Sequence, residues 1–228
     1  MEAARQMRVL SRSHELREKI ALVSPRADNP ATVWNHPELR RLYPDVLFTV
    51  HCIIRASVPL METALGLARA HAHADPVAAE LAEYLAGHIP EELHHDDWLL
   101  EDMEVLGMKR AQALQRIPSP AVAVAVGAQY YWMYHYHPVA VLGYIAVLEG
   151  QPPVEESVEG AVALTGFPRE AFRTFFKHGQ LDPHHRDELD ELLDRLPLSA
   201  DQSAVISISA MSSATLLDRA FEEVLPET

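Results

Sequence analysis

Two short segments carry side chains able to hold a metal ion. The first is Glu91-Glu92-Leu93-His94-His95-Asp96-Asp97. Glu92 and His95 are three residues apart and project from one face of a helix. Glu-x-x-His is the arrangement of carboxylate-bridged dimetal sites in helical bundles; a solvated charged face is the ordinary alternative. The second is His178-Gly179-Gln180-Leu181-Asp182-Pro183-His184-His185. His178, Asp182 and His185 lie at i, i+4 and i+7, so a continuous helix stacks them on one face, and imidazole with carboxylate suits Fe, Mn or Zn. Asp182-Pro183 reads equally as an N-cap followed by N1. On that reading Gly179 ends one helix, Asp182 starts the next, and the histidines are incidental.

Charged residues inside apolar runs are a third signal. Glu62 lies in SVPLMETALGLA, Glu149 ends VAVLGYIAVLEG, and His51 and Arg55 interrupt LFTVHCIIRASVPLM. Charge there is costly unless paired or metal-bound. His51, Arg55 and Glu62 share a helical face, so if Glu62 reaches a metal, Arg55 points into the same cavity. Its guanidinium would there take an acidic substrate or an internal carboxylate. Tyr130, Tyr131, Trp132, Tyr134 and Tyr136 are candidate pocket walls, or plain core. The only thiol, Cys52, sits among apolar residues and reads as core.

Helices must position these groups. Apolar residues recur at spacings of three and four almost throughout, and Ala, Leu, Glu and Arg dominate. The expected elements are a helix over 8–24, ended by turn signals from Ser24-Pro25 to Asn29-Pro30, and a second running to about 73. A third follows Asp75-Pro76, kinks at Pro90 and continues to Gly107. A fourth starts near Pro118 or Pro120, where the Ala/Val run also fits a strand, kinks at Pro138 and ends at Gly150. Shorter helices follow over 155–164, 168–179 and from Asp182-Pro183 to 195, with a last one over 200–223. The architecture is a single all-α domain over 1–228.

Composition narrows the function. The chain has 228 residues, 19 Lys+Arg against 33 Asp+Glu and a net charge of −14, which disfavours nucleic-acid binding. With 48% apolar and 23% charged residues it is globular. One cysteine excludes Cys-rich metal sites and an internal disulfide. No signal peptide or membrane-spanning run is expected, which points to the cytoplasm.

Together, His178-x3-Asp182-x2-His185, EELHHDDWLL around His95, and HPVAVLGYIAVLEG ending in Glu149 resemble the haem-oxygenase-like diiron oxidase and oxygenase superfamily, most closely its bacterial iron-containing redox enzyme group. The resemblance covers about 40–200. It implies a bundle of about seven helices with two irons between core helices, one held loosely, and O2 as co-substrate. By position it implies Glu92, His95, Glu149, His178, Asp182 and His185 as ligands, with Glu62 as the early-helix carboxylate some members use. Some relatives have a ligand Glu seven residues before the histidine; that position here is His88, so Glu92, or Glu91 in its place, must supply the carboxylate. Whether His88 or Glu91 replaces one of these ligands stays open.

The expected function is an O2-dependent non-haem diiron oxidase or oxygenase acting on a small organic molecule, carboxylate or amino-acid-like, with Arg55, Tyr130 and Tyr134 at the substrate. It calls for an external reductant and is compatible with a homodimer. The alternatives are a metal-free enzyme of the thiaminase or cofactor-cyclising type on the same fold, a haem-degrading enzyme, and a non-catalytic helical binding protein.

Overall fold

The computed structural model describes residues 11–24 and 31–225; most of the turn expected before the second helix lies outside them. The helices are α1 (Arg12–Val23), α2 (Ala31–Trp34), α3 (Leu39–His71), α4 (Pro76–Glu92), α5 (His95–Val105), α6 (Arg110–Gln115), α7 (Pro120–His135), α8 (Val141–Glu149), α9 (Glu155–Thr165), α10 (Arg173–Arg195) and α11 (Ala200–Glu222), with 3-10 turns at Pro138–Ala140 and Arg169–Phe172. The described residues contain no strand. The Ala/Val run that composition left open is helix α7.

Local chemistry accounts for the helix starts. Asp75 Oδ1 accepts hydrogen bonds from the Val77 and Ala78 N–H groups at 2.8 and 3.3 Å, and Pro76 occupies N1 of α4. Ser119 caps α7, and Ser199 with Gln202 forms a capping box on α11. α3 is the spine, packing against α4, α5 and α7. By length and composition α3 could cross a bilayer, but more than half of its apolar window is buried in the bundle, as in a core helix.

Three expected boundaries differ. The third helix does not run on to Gly107; it breaks after Glu92, and α5 begins at His95. The helix expected to kink at Pro138 is instead interrupted from Tyr136 to Ala140, separating α7 from α8. Conversely, Gly179 ends nothing. α10 runs unbroken from Arg173 to Arg195 with Pro183 inside it, so Asp182 is a mid-helix residue and not a cap. Gly179 serves packing instead: a Cβ there would stand 2.6 Å from the Pro153 carbonyl oxygen.

Asp102 sets how α5 meets α10. It is fully buried, and its Oδ2 accepts from Thr174 N–H at 3.0 Å and Thr174 Oγ1–H at 2.7 Å. It thereby satisfies an N–H in the first turn of α10, which has no partner within its own helix. Arg173 Nε lies 3.4 Å from Oδ1. Burial raises the Asp102 pKa, and these donors only partly offset that. Asp102→Ala is expected to cost about 3 kcal/mol, because it strands buried donors. Asp102→Asn keeps one acceptor and should cost clearly less. Denaturant unfolding of both variants checks this, and equal losses would show that volume, not hydrogen bonding, is what Asp102 contributes.

Candidate metal centre

The break between α4 and α5 shapes one wall of the site. Leu93 is extended, and His94 adopts the left-handed region (φ 70°), the one non-glycine residue among those described with positive φ. That conformation is uncommon for a residue with a Cβ. It throws the His94 ring into solvent beside Asp97 and lets His95, the first residue of α5, face back onto Glu92. α10 supplies the opposite wall, its unbroken course placing His178, Asp182 and His185 on one face, and α8 contributes its last residue, Glu149.

Glu92 lies at the centre. Its Oε2 is 3.2 Å from His95 Nδ1, and its Oε1 is 3.3 Å from His185 Nδ1. On the His185 side, His88 Nε2 lies 2.8 Å from Glu149 Oε1, and the His88 and His185 rings meet edge to face at 4.9 Å. Ligand atoms of His88, Glu92, Glu149 and His185 all fall within 4.8 Å of one another. On the other side, His178 Nδ1 is 3.1 Å from Asp182 Oδ1, and the His178 and His95 rings are 5.1 Å apart. Among the described residues only the first set reaches that mutual closeness; the second is looser. The one carboxylate facing both sets belongs to Glu92.

These groups are buried, and their protonation is coupled. Burial raises the Glu149 pKa, which His88 only partly offsets. Burial would lower that of His88, but Glu149 and then Glu92 outweigh it and leave it raised. Burial would raise that of Glu92, but His95, His178 and His88 outweigh it and leave it lowered. His178 is raised, Asp182 overcoming the effect of burial. His88 Nδ1, His178 Nε2 and Glu149 Oε2 are buried without a hydrogen-bond partner. Buried polar atoms are normally satisfied, and a cation facing them would satisfy these. An all-imidazole and carboxylate set fits Fe, Mn or Zn, and cation binding there would release protons.

A cavity of about 350 Å³ reaches this cluster and is lined by Glu92, Glu149, His178 and Asp182 at one end. Its walls are mainly apolar, with Val50, Ile53 and Ile54 from α3, Trp34, Phe175 and Phe221. Tyr144, whose hydroxyl donates to the Ile53 carbonyl at 3.2 Å, and Arg17 are polar groups in the lining. Arg17 Nη1 donates to the Ala146 carbonyl at 2.9 Å and Nη2 to Asp190 at 2.7 Å, which joins the end of α8 to α10.

Six of the seven carboxylates and imidazoles expected to be ligands thus come together: Glu92, His95, Glu149, His178, Asp182 and His185. Glu62 does not. Met61 faces the cavity, and Glu62, about 100° further around α3, is exposed. Arg55 is likewise turned from the stripe of Ile54, Ser57 and Met61; it is half-buried and outside the lining. Tyr130 packs partly against the core, and Tyr134 is exposed on α7; neither lines the cavity. His88, left open in the sequence, stands inside the cluster, whereas Glu91 is half-exposed at its edge. The signal for His88 was its helical spacing, four residues before Glu92. Arg17 and Tyr144 had no signal in the sequence.

A family model described as "iron-containing redox enzyme" matches residues 54–215. A domain of unknown function with a haem-oxygenase-like fold from Shewanella denitrificans superposes with a TM-score of 0.71 at 17% identity, over 93% of this chain and 88% of that one. A TenA homolog from Pseudomonas syringae pv. tomato superposes with a TM-score of 0.68 at 13% identity, over 94% and 92%. These likenesses establish a haem-oxygenase-like fold. No curated protein sequence matches the chain.

Proposed function

The chain belongs to the iron-containing redox enzyme family, and from that premise we propose that it is an O2-dependent non-haem diiron oxidase or oxygenase acting on a small organic molecule. The observation that carries this reading is Glu92, whose two oxygens face two separate sets of ligands. His88, Glu149 and His185 would hold one iron, His95, His178 and Asp182 the other, with Glu92 shared. Carboxylates of Glu92, Glu149 and Asp182 would offset most of the charge of two divalent ions, which makes burying them tolerable. Iron bound there would supply the reduction of dioxygen; electrons beyond those the substrate gives would come from an external reductant.

The chain's own residues do the rest. The apolar wall excludes water and holds a small substrate against the cluster. Tyr144 is fixed in the wall by its hydrogen bond to the Ile53 carbonyl, and Arg17 ties down the end of α8 that presents Glu149. The reduced cytoplasm suits a chain whose single cysteine is free and buried.

The metal-free thiaminase-like alternative has the TenA-like fold in its favour, but it needs a nucleophile or base at the cavity, and the groups at the lining able to act as a base are those of the cluster itself, Glu92, Glu149, His178 and Asp182. Cys52 is buried in the core with its pKa raised by burial, and it is not in the lining.

The test is anaerobic Fe(II) titration followed by O2. We expect about two irons per chain, with His185→Ala losing the tighter one and His88→Ala weakening it. A wild-type chain that binds no iron yet turns over a substrate would decide for the metal-free alternative.

A further inference from the structure

We propose that α7 is the contact face of a two-fold homodimer in which it packs antiparallel against α7 of a second copy. Helix α7 is apolar nearly all round, yet it is not fully buried. Val124, Tyr131 and Tyr134 are 54%, 53% and 62% exposed, and Gly127 between them is exposed too. Their spacing is three, four, three, the seam spacing of paired helices. A helix without charge on its outer face calls for a cover.

Charge says what the cover is. From Ile117 to Leu148 the sequence holds no Lys, Arg, Asp or Glu, on a chain whose net charge is −14. Two copies with that net charge repel each other, and α7 adds no Lys, Arg, Asp or Glu of its own to the contact. An anionic lipid surface finds no Lys or Arg on this helix.

Shape says how the copies meet. In an isologous pair each residue meets its counterpart through the axis. With the axis midway between Gly127 and Tyr131, Gly127 lies opposite Tyr131 of the second copy, and Val124 opposite its Tyr134. The small half of the stripe thus receives the aromatic half. The Tyr131 ring is held 4.5 Å from that of His135, as a preformed knob. Among the described residues nothing requires a glycine at 127, since a Cβ there meets no atom within 4 Å. The same holds for Gly66, Gly87 and Gly160, but each of those has a glutamate four residues away on its own face, at Glu62, Glu83 or Glu156. Helix α7 is about 24 Å long, so with Ile117 and Tyr136 beside it the pair falls at the low end of specific interfaces, ~1,200 Å² in total. The dimer should dissociate on dilution.

Sedimentation of the full chain over a range of concentrations tests this. A mass twice the 25.5 kDa of the monomer is expected at high concentration. Tyr131→Glu should weaken the dimer at least ~10-fold by burying an unpaired carboxylate. Gly127→Tyr should set tyrosine against tyrosine and Tyr131→Gly should leave a gap, so each alone should weaken the dimer. The double variant restores the match and should recover it, an outcome peculiar to the antiparallel register. The proposal is overturned by a wild type that stays monomeric, by a dimer indifferent to Tyr131→Glu, or by a double variant no better than its parents. A monomer that floats with neutral phosphatidylcholine vesicles would assign the face to lipid and overturn it as well.

Discussion

Glu92→Ala is expected to abolish tight binding of both irons, lowering affinity at least ~100-fold, while His94→Ala leaves the iron content unchanged. The difference follows from geometry. The Glu92 oxygens lie 3.2 and 3.3 Å from histidines of two different sets, so one truncation removes a ligand from each. His94 is adjacent to His95 in sequence, but the left-handed turn sends its ring into solvent. His178→Ala should lose only the looser iron. Iron content after desalting, read beside the melting temperature of the metal-free protein, checks all three. The metal-free Glu92→Ala fold should persist, because the removed charge had clustered ionisable groups around it and not packed core. Retention of both irons by Glu92→Ala would mean that the carboxylate is not shared.

Gly143→Ala should be the most destabilising single-methyl change in the site's framework. Gly143 lies in α8 where that helix packs on α11, and a Cβ there would run into the Ile206 carbonyl oxygen and stand 2.7 Å from Ala210 N. Both obstacles are backbone, which cannot rotate away. Overpacking of this kind costs about 3 kcal/mol, or roughly 10 °C in melting temperature for a chain of this size. Displacement of α8 would also move Glu149, so iron affinity should fall with stability. Gly127→Ala, on an open helix face, is the control and should not lower the melting temperature of the monomer. If Gly143→Ala melts within ~2 °C of wild type, the two helices are not in the close contact described.

The residue types of the cluster and most of their positions were legible in the sequence. Spacings of three, four and seven are properties of one helix, so Glu92 with His95, and His178 with Asp182 and His185, could be grouped before any packing was known. Helix starts were legible for the same reason: Asp75-Pro76 is short-range chemistry, satisfied by N–H groups two and three residues on. Where the local signal was ambiguous, packing chose. Asp182-Pro183 has the form of a helix start, but α10 continues through it.

Face along a long helix was decided only by tertiary structure. Arg55 and Glu62 share a face of α3, and the sequence could not say whether that face met the cavity. The neighbouring stripe of Ile54, Ser57 and Met61 did, turning both charged residues away. His88 entered the cluster because the end of α8, far off in sequence, delivers Glu149 to within 2.8 Å of its ring. Arg17 reached the cavity only by the packing of α1 against α8 and α10. Spacing within a helix follows from its pitch, whereas the angle a helix turns toward its neighbours follows from how all their side chains pack, and that is written in no single stretch of the chain.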